Sequence, residues 1–163
     1  KSLCLNLPER TLLGMCARTN NKNEIDLKTG KIGPLATSYW GNQSANAIKH
    51  RAKPGLTYAV YTDYERDEHG DYTFLIGEEV RSIEGQDRST FDLISIPHSR
   101  YQKFTTLPGK MPDVIIAAWQ AIWAMKPEDF AAKRTYIADF ELYDERAADP
   151  NHAVVDIYIG IAS

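Results

Sequence analysis

Apolar positions along the chain follow two periods, and the switches between them cut it into recognisable pieces. Residues 12–19 read as a strand, followed by a polar connection over residues 20–34. Within residues 37–52, Tyr39, Trp40, Ala47 and Ile48 fall near helical spacing, and Pro54-Gly55 ends the segment. Residues 57–64 are rich in tyrosine and β-branched side chains. They run into a turn over residues 65–71 that contains His69-Gly70-Asp71, and residues 72–80 return as a second strand. The order is strand, helix, hairpin.

The same order then begins again. Residues 91–107 form an extended segment with a break at Pro97. A helix is predicted over about residues 112–125, with Val114, Ile115, Ala118, Trp119, Ile122 and Trp123 on its apolar side. Pro112 suits the first turn of that helix. Residues 136–143 and 154–161 make another hairpin, and Phe74-Leu75-Ile76-Gly77 is echoed by Ile157-Tyr158-Ile159-Gly160. One strand-helix-strand-strand unit buries its sheet face and helix poorly, whereas two packed together can do both. The prediction is an α+β fold in which two pseudo-symmetric strand-helix-strand-strand repeats form an antiparallel sheet, with the helices on one face and a central cleft. One domain is expected over residues 1–163, with repeat one over about 8–82 and repeat two over about 90–163.

Composition narrows the function. At 163 residues, with 43% hydrophobic and 25% charged side chains, the chain is an ordinary globular sequence with no signature of disorder. A net charge of −3 provides no whole-chain attraction for phosphate backbones. The densest basic stretch, Lys49-His50-Arg51-Ala52-Lys53, reads as the cationic last turn of a helix, so no direct nucleic-acid contact is expected. No apolar run approaches the roughly 18–20 residues of a membrane span. The start, Lys1-Ser2-Leu3-Cys4-Leu5-Asn6-Leu7-Pro8, is too short and interrupted for a signal peptide, so a cytoplasmic protein is expected.

Cys4 and Cys16 lack zinc-site spacing and read as free thiols rather than a disulfide. His50, His69, His98 and His152 show no metal-like spacing, and His69 and His152 read as turn residues. Neither a metal nor a cofactor is expected. Ser38, Ser95 and Ser99 have no evident histidine partner, so no nucleophile–base pair stands out.

Strand parity sorts the last hairpin. Val155, Ile157, Ile159 and Ile161 form one aliphatic face expected to meet the helices, opposite Val154, Asp156, Tyr158 and Gly160. In the partner strand Tyr136, Ala138, Phe140 and Leu142 form the apolar face, and Ile137, Asp139, Glu141 and Tyr143 the other. The side turned away from the core is therefore expected to gather Asp139, Glu141, Asp156, Tyr143 and Tyr158. In the first hairpin Tyr58 and Tyr64 share one side and Tyr61 takes the other. No lysine or arginine interrupts these four strands between their ends. Carboxylates beside tyrosines without basic partners suit an organic cation, each ring contributing about 0.5–2 kcal/mol. The solvated face of an antiparallel sheet carries the same residue types, and the residues alone leave both readings open.

Several strings, taken in order, carry a resemblance: Trp40 early in the first helix, Tyr58-Ala59-Val60-Tyr61, and Tyr72-Thr73-Phe74-Leu75-Ile76-Gly77. The second half adds the Trp119 to Trp123 helix, Asp139-Phe140-Glu141-Leu142-Tyr143 and Asp156-Ile157-Tyr158-Ile159. From about Leu7 onward the chain resembles the GyrI-like effector-binding family. These are the drug-binding domains of AraC- and MerR-type transcription activators, together with stand-alone relatives. The resemblance is closest to stand-alone members, among them an integron gene-cassette protein that binds cationic drugs. It implies two pseudo-symmetric units around a cleft, in which the acid of a Phe-Glu-x-Tyr strand sits among aromatics and contacts cationic ligands.

Here that acid is Glu141. Tyr143 and Tyr158 would be the nearest aromatic walls, with Tyr58, Trp40 and Trp119 as further ligand-binding candidates. The tryptophans also suit the cores of their helices, and Trp123 is expected there. The family often ends its last strand with proline where this chain has Gly160, a difference at the rim.

The resemblance implies a binding module for hydrophobic organic cations, serving drug or effector sensing or sequestration. Its partners would be a small organic cation and, where a signal is passed on, a separate transcription regulator, since no helix-turn-helix segment is evident; oligomeric state is open. Two alternatives share the family: a hydrolase of reactive cyclopropane-bearing toxins with Glu141 as general acid or base, and a protein-binding role such as gyrase inhibition. No nucleophile–base pair favours the first, and no long acidic or apolar run favours the second.

Overall fold

Both predicted hairpins form, and they meet along their first strands. The computed structural model describes residues 3–26 and 28–163. Its strands are β1 (Leu3–Leu7), β2 (Arg10–Thr19), β3 (Thr57–Thr62), β4 (Tyr72–Glu79), β5 (Asp92–Ile96), β6 (Ser99–Thr105), β7 (Arg134–Tyr143) and β8 (Asp156–Ile161). Its α-helices are α1 (Asn21–Ile25), α2 (Ile32–Gly41) and α3 (Asp113–Ala124). The strands join in one antiparallel sheet ordered β1-β6-β8-β7-β3-β4-β2-β5. The seam between the two hairpins is β3 against β7, with Thr57 opposite Tyr143 and Ala59 opposite Glu141.

The halves also exchange strands. β1 pairs with β6 from Leu3↔Lys103 to Leu7↔Ser99, and β2 pairs with β5 from Arg10↔Ile96 to Gly14↔Asp92. The two ladders share one register, interrupted only where Pro8-Glu9 passes Pro97-His98. Proline has no N–H to give a ladder, so these prolines mark the crossing. The break anticipated at Pro97 is therefore a change of neighbour within one extended segment.

Each face of the sheet carries a core. One contains Tyr39 of α2 and Ile115, Trp119 and Ile122 of α3 with Phe74, Ile76, Ile157 and Ile159. The other contains strand residues only, among them Leu12, Tyr58, Val60, Tyr101, Phe140 and Tyr158. α2 and α3 thus lie on one face as expected, and the opposite face is itself packed rather than solvated. Among the described residues no helix is long and apolar enough to cross a membrane. Cys4 and Cys16 are free thiols.

The first helix departs from its predicted span. α2 begins at Ile32, and Ile32, Leu35, Ala36 and Tyr39 supply its buried stripe at helical spacing. Pro34 fits the first turn, where its missing N–H is not needed. The helix starts against Glu24, whose carboxylate accepts from the Lys31 and Ile32 amides at 2.8 and 3.0 Å. It ends at Gly41, and Gln43 in a left-handed conformation turns the chain into a short 3-10 segment, Ser44–Ala47. The basic stretch after it is not a helix terminus. Arg51 instead makes an isolated bridge to Val80, and its side chain pairs with Glu78.

Where β2 crosses β4, Gly14 lies opposite Gly77. A Cβ on Gly14 would stand 2.1 Å from the Ile76 carbonyl oxygen, and one on Gly77 2.1 Å from that of Leu13. Neither obstacle is a movable side-chain end, so the strands must separate to admit a methyl group. Gly14→Ala should lower stability by about 3 kcal/mol and Tm by roughly 6–12 °C. Thermal unfolding followed by circular dichroism measures this, and an unchanged Tm would refute the close approach.

Candidate functional site

Glu141 lies on the central seam with its side chain on the helix-bearing face, only 4% exposed. Its place follows from register. β7 pairs with β8 as Glu141↔Ile157 and Phe140↔Tyr158, so Glu141 shares a face with the aliphatic residues under the helices, not the side turned away from them that strand parity predicts. Ala59 opposite it in β3 is too small to cover it.

Three neutral donors close on the carboxylate. The Tyr61 hydroxyl donates to Oε2 at 2.6 Å and the Trp119 indole N–H to the same oxygen at 2.7 Å. The Tyr143 hydroxyl donates to Oε1 at 2.5 Å. Among the described residues no lysine, arginine or histidine forms an ion pair with it. Burial raises the Glu141 pKa above the ordinary carboxylate value, and the bonds from Tyr143, Tyr61 and Trp119 pull it partly back. Burial, and next the charge of Glu141, push the Tyr61 and Tyr143 phenols well up, so both remain protonated donors.

The other carboxylates on these strands have cations of their own. Asp139, fully buried, accepts from Arg134 Nη2 at 2.8 Å, the Gly160 amide at 2.8 Å and the Tyr64 hydroxyl at 2.5 Å. Asp156 accepts from Arg146 Nη2 and Thr105 Oγ1, both at 2.6 Å, with Lys103 Nζ at 3.6 Å. Burial works against its charge, yet these partners hold its pKa below the usual range. The expected three-acid face is thereby corrected: Asp156, opposite Leu142, lies on the other face of the sheet with Tyr158, Asp139 is clamped by Arg134, and Glu141 alone is left without a cation. The neutralising side chains come from a strand end, a turn and a neighbouring strand that parity along four strands leaves out.

Of the expected aromatic walls, Tyr143 and Trp119 reach the acid. Trp40 stands at the margin, 43% exposed, with its ring edge-on to Tyr143 at 5.2 Å between centroids. Tyr158 and Tyr58 do not join them. They belong to the opposite face, where Tyr158 stacks on Phe140 at 4.6 Å and Tyr58 receives a hydrogen bond from Arg10. Strand parity puts Tyr158 beside Glu141 only if each strand's apolar side is taken as the same face of the sheet. Both faces are apolar, and only the register separates them. Trp123, expected in the core, is 44% exposed beside Trp119.

Tyr61 was not among the candidates. Its position two residues along β3 from Ala59, the partner of Glu141, is the signal that would have found it. Its ring also packs edge-on against Trp119 at 5.1 Å.

Beside this cluster opens a cleft of about 890 Å³, walled by Trp40, Tyr143, Leu56, Met111 and Pro150, with Lys53 and Glu145 also on its lining. Tyr143 faces both ways, its ring on the cleft and its hydroxyl on Glu141. A smaller hollow of about 490 Å³ around Gln43 and Phe91 has no charged residue on its lining. Among the described residues one group, Asp67, Glu68 and His69 on the β3–β4 turn, brings metal-type ligand atoms within 4.8 Å of one another. Asp67 Oδ1 already accepts from the His69 amide at 2.8 Å, and Glu68 from the Tyr136 hydroxyl at 2.6 Å.

An antiparallel sheet built from two hairpins, with two longer helices, here α2 and α3, on one face, is the architecture of the GyrI-like effector-binding domains. Within that class, the chain belongs to the family of integron-associated effector binding proteins, Cass2, whose model matches residues 5–161. YobU of Bacillus subtilis (strain 168), a proposed transcriptional regulator, is 30% identical over 148 residues, 91% of this chain and 89% of its own length. The integron cassette protein VCH_CASS2 from the mobile metagenome of Vibrio cholerae shares the fold with a TM-score of 0.77 and 24% identity, over 99% of this chain and 95% of that one. SAV2435, solved bound to tetraphenylphosphonium, matches with a TM-score of 0.75 and 15% identity, over 100% and 94%.

The raised pKa sets a pH dependence. The folded protein keeps the Glu141 proton to higher pH than the unfolded chain, whose glutamates titrate near about 4.3. The stability tied to that proton is complete below the unfolded value and is lost as pH rises through the folded one. Glu141→Gln should therefore be more stable than wild type at pH 8, and the difference should vanish towards pH 4. Denaturant unfolding of both proteins across that range measures it, and a variant less stable at pH 8 would contradict the assignment.

Proposed function

We propose that this chain is a binding module for hydrophobic organic cations, with Glu141 as the buried anchor. The observation that carries the reading is the contrast among the buried carboxylates: Asp139, Asp156 and Glu78 each have an arginine, and Glu141 has only neutral donors. A carboxylate held this way is solvated enough to ionise when a positive charge arrives and lacks a cation until it does. Tyr143 and Trp40 present two ring faces nearly at right angles, an arrangement that attracts a cation through its quadrupoles. The cleft's volume is within the range of small-molecule sites. The tetraphenylphosphonium held by SAV2435 is a ligand of the proposed class.

Tyr143, Trp119 and Tyr61 give up part of their bonding to Glu141 as the ligand's charge replaces it, and Trp40 closes the outer side. In the cytoplasm such a module withholds a toxic cation or reports it to a separate regulator.

Titration calorimetry with tetraphenylphosphonium tests this. Glu141→Gln should weaken binding at pH 7.5 by about tenfold or more, or 1.4 kcal/mol. Wild-type affinity should rise with pH, because the cation favours the ionised carboxylate, and the variant should lose that slope. Equal affinities for the two proteins would sink the proposal.

A further inference from the structure

Six buried side-chain polar atoms lack a hydrogen-bond partner among the described residues, and two of them, Glu78 Oε1 and the Tyr39 hydroxyl, belong to groups within electrostatic reach of each other on the helix-bearing side. Both residues are 1% exposed. Glu78 shares the helix-bearing side of β4 with Phe74 and Ile76, and α2, which carries Tyr39, packs over β2 and β4. Its other oxygen, Oε2, has only long contacts, from the Gly55 amide at 3.3 Å and Arg51 Nη1 at 3.4 Å. Gly55 lines the cleft, so Glu78 sits directly behind that wall. A Cβ on Gly55 would meet nothing within 4 Å, and the backbone there is open on its outer side.

A purely structural ion pair explains little of this. A pair kept for stability has its remaining lone pairs filled, and each buried orphan instead weakens the fold. Here an acceptor and a phenol are both left free. Glu78's charge, after burial, is what raises the Tyr39 pKa, which places the two groups within electrostatic reach.

The sheet also fixes their separation from Glu141. Glu141 pairs with Ala59 and Ala59 with Ile76, two residues from Glu78 on the same face. Two strand spacings and two residue steps amount to about 12 Å between the Cα atoms of the two glutamates. A flat aromatic cation three rings long spans such a distance.

We propose that Glu78 and Tyr39 form a second polar station of this cleft, one that takes a hydrogen-bond donor (an aromatic amine, an ammonium or a hydroxyl) at the far end of the captured cation. The inference rests on the cation-binding reading of Glu141 and adds a ligand class to it: cations with a distal donor are preferred over those without one. Glu78 Oε1 accepts from the donor, and the Tyr39 hydroxyl pairs with the same group.

Proflavine and acridine orange test it, since they share one cationic ring system and differ in whether the outer amines carry N–H. Binding of each dye is measured on wild type, Tyr39→Phe, Glu78→Gln and Glu141→Gln, with a Tm for every variant. Tyr39→Phe and Glu78→Gln should each weaken proflavine more than acridine orange, by about fivefold to tenfold in the ratio of affinities. Tyr39→Phe should not lower Tm, because the hydroxyl it removes has no partner in the free protein. Equal losses for the two dyes, no losses, or a lower Tm for Tyr39→Phe would overturn the station. If Glu141→Gln weakens both dyes while the other variants do not discriminate, this inference alone fails. If Glu141→Gln weakens neither, the cation-binding reading fails with it.

Discussion

A carboxylate out of water needs either a proton, a cation or a shell of donors, and at position 141 the fold supplies only the last. Three donors from three elements converge there: Tyr61 from β3, Tyr143 from β7 itself and Trp119 from α3. Hydrogen bonds from neutral groups make the ionised form tolerable but do not cancel its charge. Neighbouring Asp139, by contrast, is clamped by Arg134 and has no charge to offer. The same strand thus carries a finished ion pair and an unfinished one, two residues apart and on one face.

What makes this possible is the seam. β3 and β7 run side by side at the middle of the sheet, and the pairing of Ala59 with Glu141 leaves a small residue next to the acid. The helix-bearing side over the seam is then covered by aromatic side chains rather than aliphatic ones, with Tyr61, Trp119, Tyr143 and Trp40 linked ring to ring or through the carboxylate. The opposite face is sealed by Phe140, Tyr158, Tyr101 and Tyr58, so access to Glu141 is from the helix side alone. The exchange of β1 and β5 between the halves ties the outer strands of each half to the other.

Much of this was legible in the residues. The repeat of strand, helix and hairpin, the break at Pro97 and the span of α3 follow from apolar periodicity and turn residues; alternation sets Glu141 and Tyr143 on one side of their strand but offers Asp139 and Asp156 equally, and the choice of Glu141 comes from the family resemblance. Three features were not legible, each for a physical reason. The start of α2 hides in a segment that reads as polar because Gly33 and Pro34 interrupt the stripe formed by Ile32, Leu35, Ala36 and Tyr39. The assignment of Tyr158 fails because a strand's parity says which residues lie together but not which side of the sheet they lie on when both sides are packed, and Tyr58, a candidate through the resemblance, lies on that same opposite side. The neutralisation of Asp139 and Asp156 depends on Arg134, Arg146 and Lys103, which approach across turns and neighbouring strands.

The central claim is that Glu141 is an acid kept short of a cation, and its own titration reads that claim most directly. Carboxyl carbon chemical shifts of Glu141, followed by NMR against pH with and without tetraphenylphosphonium, give its pKa in both states. The account predicts a value above that of an ordinary glutamate in the free protein and a marked fall when the cation binds. An ordinary value in the free protein, or a raised one that the ligand does not move, would contradict it.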